Sequence, residues 1–160
     1  MLQTIWNIII SPFGLVRFRH FFFADILCSM IIPLKDIGFI FCYFTKGGWI
    51  NSSPPSVDEC TGLEYYVFAV AFVPFWLRLA QCIRRYHDCK LKVHLFNAMK
   101  YFCSILVNFA FIYRIKQNDD LSYFTFVVIS FISCFFSYAW DIYMDWGLFR
   151  SHSADKKYLR

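Results

Sequence analysis

PFWLRLAQCIRRYHD, residues 74–88, decides the fold: an apolar run passes directly into a cluster of arginines. Ionisable groups are costly in hydrocarbon, so such a boundary marks where a helix leaves a membrane, and charges at membrane depth pair with something or bind something. A second boundary of the same kind is YAWDIYMDWGLF, residues 138–149, where two aspartates end an aromatic run. Composition agrees with this reading. Of 160 residues, 59% are hydrophobic, 22% aromatic and only 17% charged, with a mean hydropathy of +0.47. A soluble domain carries about a quarter charged residues, and 21 phenylalanines in long runs exceed what one small core can hold. The chain is therefore read as all-α, a polytopic transmembrane helix bundle in the lipid bilayer.

Working outward, five apolar segments are legible, at roughly 1–16, 21–44, 63–80, 96–113 and 121–140. A spanning helix needs about 20 residues, so the last four qualify. The first would reach about 24 Å, short of the ~30 Å hydrocarbon core. With no Lys or Arg before it and Arg17 and Arg19 after it, it reads as the rear of a longer helix rather than a signal peptide. Basic residues set the orientation. Arg17, Arg19, Arg84, Arg85, Lys90, Lys92, Arg150, Lys156, Lys157 and Arg160 fall on one side, against Lys46, Arg114 and Lys116 on the other. The richer side is expected to be cytosolic, which puts the N-terminus outside and the C-terminus in the cytosol. Asn51-Ser52-Ser53 is a glycosylation sequon in the loop then placed outside. The net charge of +5 lies mostly in loops and reports orientation, so no nucleic-acid partner is expected.

The seven cysteines lie mostly in apolar runs or beside basic residues, where they act as small hydrophobes. Only Cys60 sits in the outer loop, so no disulfide framework is expected. Cys82, His87, Cys89 and His94 are metal-ligand types, but their spacing matches no standard zinc pattern. Neither a metal nor a cofactor is expected.

Four polar groups within the apolar segments are candidates for chemistry. Asp25 lies one helical turn from Cys28 and Ser29, ahead of Pro33, Lys35 and Asp36. It reads either as part of a polar pathway or as a cap near the cytosolic interface. Asn97, Lys100 and Tyr101 share a face, and an ammonium beside an amide and a phenol suits an oxyanion; snorkelling to the headgroups is the plainer alternative. Arg78, Gln81, Cys82 and Arg85 form a polar stripe at i, i+3, i+4 and i+7. Arginine's planar fork fits phosphate or carboxylate better than lysine's point charge, whereas Arg84, Lys90 and Lys92 read as anchors on anionic lipid. Asp141 and Asp145, one turn apart between Trp140 and Trp146, are either a carboxylate pair for cations or caps in an aromatic belt.

PFWLRLAQCIRRYHD, then HLFNAMKY, then WDIYMDWGLF, together with FFFADILCS, resemble in order and spacing the EXS domain of the eukaryotic phosphate exporters, the family of the xenotropic and polytropic retrovirus receptor. The resemblance runs over nearly the whole chain, so residues 1–160 read as a partial EXS domain without the family's SPX domain. It implies an all-helical protein that moves inorganic phosphate out of the cytosol or, in Golgi relatives, out of the lumen. It places Asp25, Lys100, Tyr101, Asp141 and Asp145 where the family lines its phosphate pathway, with Arg78 heading an arginine-rich helix end. The chain departs from the animal exporters at Cys28, where they carry asparagine, and at Val67, where they carry arginine. In full-length relatives further helices follow KKYLR and supply more phosphate-binding arginines.

The expected function is thus phosphate transport at the plasma membrane or the Golgi membrane, without a covalent step. The alternative is a non-transporting short isoform or scaffold, associating with itself or with a full-length family member. No nucleophile–base set stands out, so an enzyme is not expected.

Overall fold

The computed structural model describes Ile10, Gly14, residues 16–47, Cys60 and residues 62–147. Most of the first apolar segment and the Asn51 sequon lie outside these residues. Among the described residues the major elements are α1 (Phe18–Ser29), α2 (Ile31–Thr45), α3 (Leu63–Cys89), α4 (Lys92–Gln117), α5 (Asp120–Trp140) and a π-helical turn at Asp141–Asp145. Among the described residues three helices, α3, α4 and α5 with its π turn, are long and apolar enough to cross a membrane, and the bent pair α1–α2 makes a fourth if it is counted as one span. The protein is an all-helical integral membrane protein.

The second apolar segment is broken. α1 and α2 meet at 51° around Met30. Pro33 sits in the first turn of α2, where its missing N–H costs least, so the break falls three residues ahead of the proline itself. Met30 N still donates to the Ile26 carbonyl at 3.0 Å, and Leu34 N to the Met30 carbonyl at 3.0 Å.

Short connections make α3, α4 and α5 successive antiparallel neighbours. Lys90 takes a left-handed conformation, φ 56°, and α4 starts two residues later. Asn118 does the same at φ 49°, a conformation asparagine tolerates better than most residues. Asp119 then caps α5, its side chain accepting from Ser122 N at 3.0 Å. Each of these helices runs beyond its apolar segment. α3 in particular continues to Cys89 and carries the polar stripe on an unbroken helical face.

In lipid, apolar surface alone does not drive helices together, so small residues and buried polar groups hold the bundle. Ala24, Ala71, Ala98 and Ala110 are buried, while Phe41, Phe131 and Phe135 point outward. The core cluster is Cys82, Ala98 and Tyr101, with Cys28, Phe75 and Leu79 against it. α2 packs on α3 through Gly38, where a Cβ would collide with the Tyr66 ring, and the Tyr66 hydroxyl donates to the Leu34 carbonyl at 2.7 Å.

One expectation is corrected. Cys42 and Cys60 form a disulfide, with Cα atoms 6.1 Å apart. Counting Cys42 with the apolar run hid its position: α2 ends at Thr45, so Cys42 lies in the last turn, level with the loop rather than within the span.

Candidate functional site

The end of the bundle where α3 passes into α4 holds a cavity of about 1010 Å³. Its wall includes Asp25 from α1, Arg78 and Arg85 from α3, Lys100 and Tyr101 from α4, and Asp145 from the π turn. Four separate elements thus bring ionisable groups to one space.

Arg78 is the anchor. Its side chain is 7% exposed, and its Nε lies 2.7 Å from Asp25 Oδ1. The Tyr101 hydroxyl closes a triangle: it accepts from Arg78 Nε at 3.0 Å and donates to Asp25 Oδ1 at 3.0 Å. Arg78 Nη1 donates to Gln81 Oε1 at 3.2 Å, one turn along α3. Gln81, 1% exposed, ties the group to α1 by donating to the His20 carbonyl at 3.4 Å. The guanidinium also lies over the Tyr101 ring at 4.9 Å and the Phe21 ring at 5.5 Å. A guanidinium has five N–H groups. Those on Nε and one on Nη1 are engaged, which leaves the rest of the fork without a protein partner among the described residues.

Lys100 forms the second charged group. Its Nζ donates to Asp141 Oδ1 at 2.7 Å and lies 3.8 Å from Asp145 Oδ2. The π turn makes this possible. Trp146 N donates to the Asp141 carbonyl at 2.8 Å, five residues back, and the widened turn sets both carboxylates about one ammonium. Such turns recur at functional sites. The Lys100 side chain, 17% exposed, is held between α4 and the π turn by this pair.

The residues singled out in the sequence fall as follows. Asp25, Arg78, Lys100, Tyr101 and Asp145 line the cavity; Asp141 does not, but holds Lys100. Asn97 and the stripe Arg78, Gln81, Cys82 and Arg85 also line it. Asp25 is not a helix cap, because α1 starts at Phe18 and continues for four residues beyond it. Cys82 faces the core while Cys89 is exposed, so the two do not share a ligand set. Gln81 was the site residue least visible as such. Its spacing of three from Arg78 is the signal that pairs them.

Across this charged space, three cations (Arg78, Arg85, Lys100) stand beside three carboxylates (Asp25, Asp141, Asp145). The carboxylates occupy part of the donor capacity of Arg78 and Lys100, and the remaining guanidinium N–H groups of Arg78 have no partner among the described residues.

Sequence comparison gives the same family as the motifs. Residues 1–160 match the EXS family. The chain is 34% identical to "Xenotropic and polytropic retrovirus receptor 1 homolog" of Xenopus laevis and 33% identical to "Solute carrier family 53 member 1" of Homo sapiens, covering 100% of this chain and 25% of each relative. It is 32% identical to "SPX and EXS domain-containing protein 3" of Dictyostelium discoideum, over 97% of this chain and 17% of that protein. The chain thus spans about a quarter or less of the length of these curated relatives. With the match running end to end, the chain belongs to the EXS family.

Proposed function

We propose that this chain forms part of a passage for inorganic phosphate across a membrane, with the Arg78–Lys100 cavity as its binding chamber. One observation carries the reading: a buried guanidinium, fixed by Asp25, Tyr101 and Gln81, keeps donors free toward a cavity large enough for a hydrated oxyanion. Phosphate would replace part of its water shell with Arg78 N–H groups and the Lys100 ammonium. Asp25, Asp141 and Asp145 keep those cations in place and limit the depth of the well, so that the ion leaves again. No bond is made or broken, so the chain acts as a transport path and not as an enzyme. The naming of a relative as a solute carrier supports the same reading.

The orientation follows from two independent features. The Cys42–Cys60 disulfide belongs on an oxidising face, and the basic residues crowd the opposite one. The loop after α2 is then outside or lumenal, and the chamber opens toward the cytosol. The same chamber serves export across the plasma membrane or phosphate recovery from the Golgi lumen. A second reading has one feature in its favour: α5 with its π turn is the least buried of the three long helices. That face fits association with another copy or a full-length family member, the chain then acting as an accessory.

The test is phosphate efflux from cells lacking their own exporter, expressing this chain or its Lys100→Ala variant at matched membrane levels. Efflux that requires Lys100 is expected. Equal efflux from the variant would remove Lys100 from the path, and none from a well-inserted wild type would leave the accessory reading.

A further inference from the structure

A second cavity, of about 400 Å³, lies next along the same helices and contains Lys35, Ser104, Asn108, Ser130, Ser133 and Ser137. The helices carry the two cavities at successive levels. Asp25 faces the first and Cys28 the second on α1; Lys100 the first and Ser104 the second on α4; Trp140 the first and Ser137 the second on α5. These steps of three or four residues are one helical turn each, about 5 Å along the axis.

We propose that this second cavity is a separate binding station for a phosphate-type oxyanion, centred on Lys35; the proposal rests on the reading of the first cavity as a phosphate chamber. Lys35 has no ion pair or hydrogen bond among the described residues, unlike Lys100. It also sits well inside the second apolar segment rather than at its end. The end of α2 at Thr45 is ten residues away, about 15 Å along the helix, beyond a lysine stem. An ammonium at that depth demands solvation by a cavity or a counter-ion. The Ser130 hydroxyl is buried in the same space without a hydrogen-bond partner among the described residues. Buried polar groups ordinarily have one, so an unmatched hydroxyl marks a place for a ligand or water. Ser104 and Asn108 bond back to their own helix, to the Lys100 carbonyl at 3.2 Å and the Ser104 carbonyl at 3.0 Å, and rotate toward an arriving acceptor at little cost.

The chemistry selects the ligand class. One ammonium with three donors, flanked by hydroxyls, complements a small anion with several oxygens. With no guanidinium or carboxylate in its wall among the described residues, the station is held by a point charge and lies nearer the disulfide end of α2 than the first chamber does. It accepts the ion after the first chamber and gives it up more readily.

The experiment counts labelled phosphate bound per chain by the purified protein in phospholipid-free maltoside micelles. Thermal unfolding of every variant is followed in parallel. Two classes of site are expected, the weaker lost about tenfold or more in Lys35→Met with the tighter unchanged. Lys35→Arg should keep both, and Ser130→Ala should weaken only the second by a few-fold. If Lys35→Met does not fold, Lys35→Arg and Ser130→Ala decide by the same pattern. A single class untouched by Lys35→Met or Ser130→Ala overturns the second station and leaves the first chamber standing. No saturable binding by the folded wild type overturns both.

Discussion

Replacing Asp25 by asparagine should tighten phosphate binding while loosening the fold. Asp25 Oδ1 lies 2.7 Å from Arg78 Nε, with side chains 44% and 7% exposed respectively. An oxyanion that shares Arg78 sits close to the carboxylate. Two like charges about 4 Å apart repel by about 4 kcal/mol at an effective dielectric of about 20. Solvent reaches Asp25, so screening halves this or more and leaves about 1.5–2 kcal/mol. Asparagine keeps the shape and an acceptor oxygen and removes the charge. Phosphate affinity should then rise about ten- to thirtyfold, with release, and therefore flux, slowed. Stability moves the other way. Breaking a fully buried pair costs about 3–5 kcal/mol; the exposure of Asp25 and the retained bonds to its oxygen reduce this to about 1–2 kcal/mol. Labelled-phosphate binding and a tryptophan-fluorescence melt on the same preparation read both effects. A folded Asp25→Asn chain that binds phosphate no better than wild type would refute competition between Asp25 and the anion for Arg78.

Three further outcomes follow from the geometry. Tyr101→Phe removes the hydroxyl shared by Arg78 and Asp25 but keeps the ring beneath the guanidinium and the direct ion pair, so it should cost only about 0.5–1.5 kcal/mol in a thermal melt. Cys60→Ser opens a bridge spanning a sequence separation of 18 and should cost up to about 3 kcal/mol; reductant should lower the melting temperature of the wild type and leave the variant unmoved. At the α4–α5 connection, hydrogen bonds from the Ser122 hydroxyl and backbone N–H hold the Asp119 carboxyl below its ordinary value. A depressed pKa means its stabilisation is present above the unfolded value and fades as pH falls through the folded one. Protection of the Ser122 amide, corrected for intrinsic exchange, should therefore drop on acidification below about pH 4 in the wild type. In Asp119→Asn it should not.

How much of this was legible in the sequence differs from residue to residue. The spans of α3, α4 and α5 follow from apolar runs, because lipid imposes length and helicity together. The extension of α3 to Cys89 is written in the 3.6-residue spacing of Arg78, Gln81, Cys82 and Arg85 rather than in hydropathy, which falls away there. Faces were readable, partners were not. Nothing local links Lys100 to Asp141, 41 residues on, or Tyr101 to Asp25, 76 residues back. Those pairings need the antiparallel packing of α4 on α5 and the position of α1 against α3. The break at Met30 and the Cys42 bridge depended on one turn of helix register, which composition does not resolve. The Lys35 cavity was invisible for a related reason. Its serines look like filler in an aromatic run until five helices close around one space.

The central claim is that an oxyanion sits on the free edge of Arg78, within reach of Lys100. Crystals of the chain soaked in arsenate, measured at the arsenic absorption edge, locate that ion directly. An anomalous peak within hydrogen-bond distance of the Arg78 fork, displaced by phosphate, is the predicted result. A well-ordered Arg78 and Lys100 with no peak between them, at arsenate concentrations that label other sites, would contradict the account.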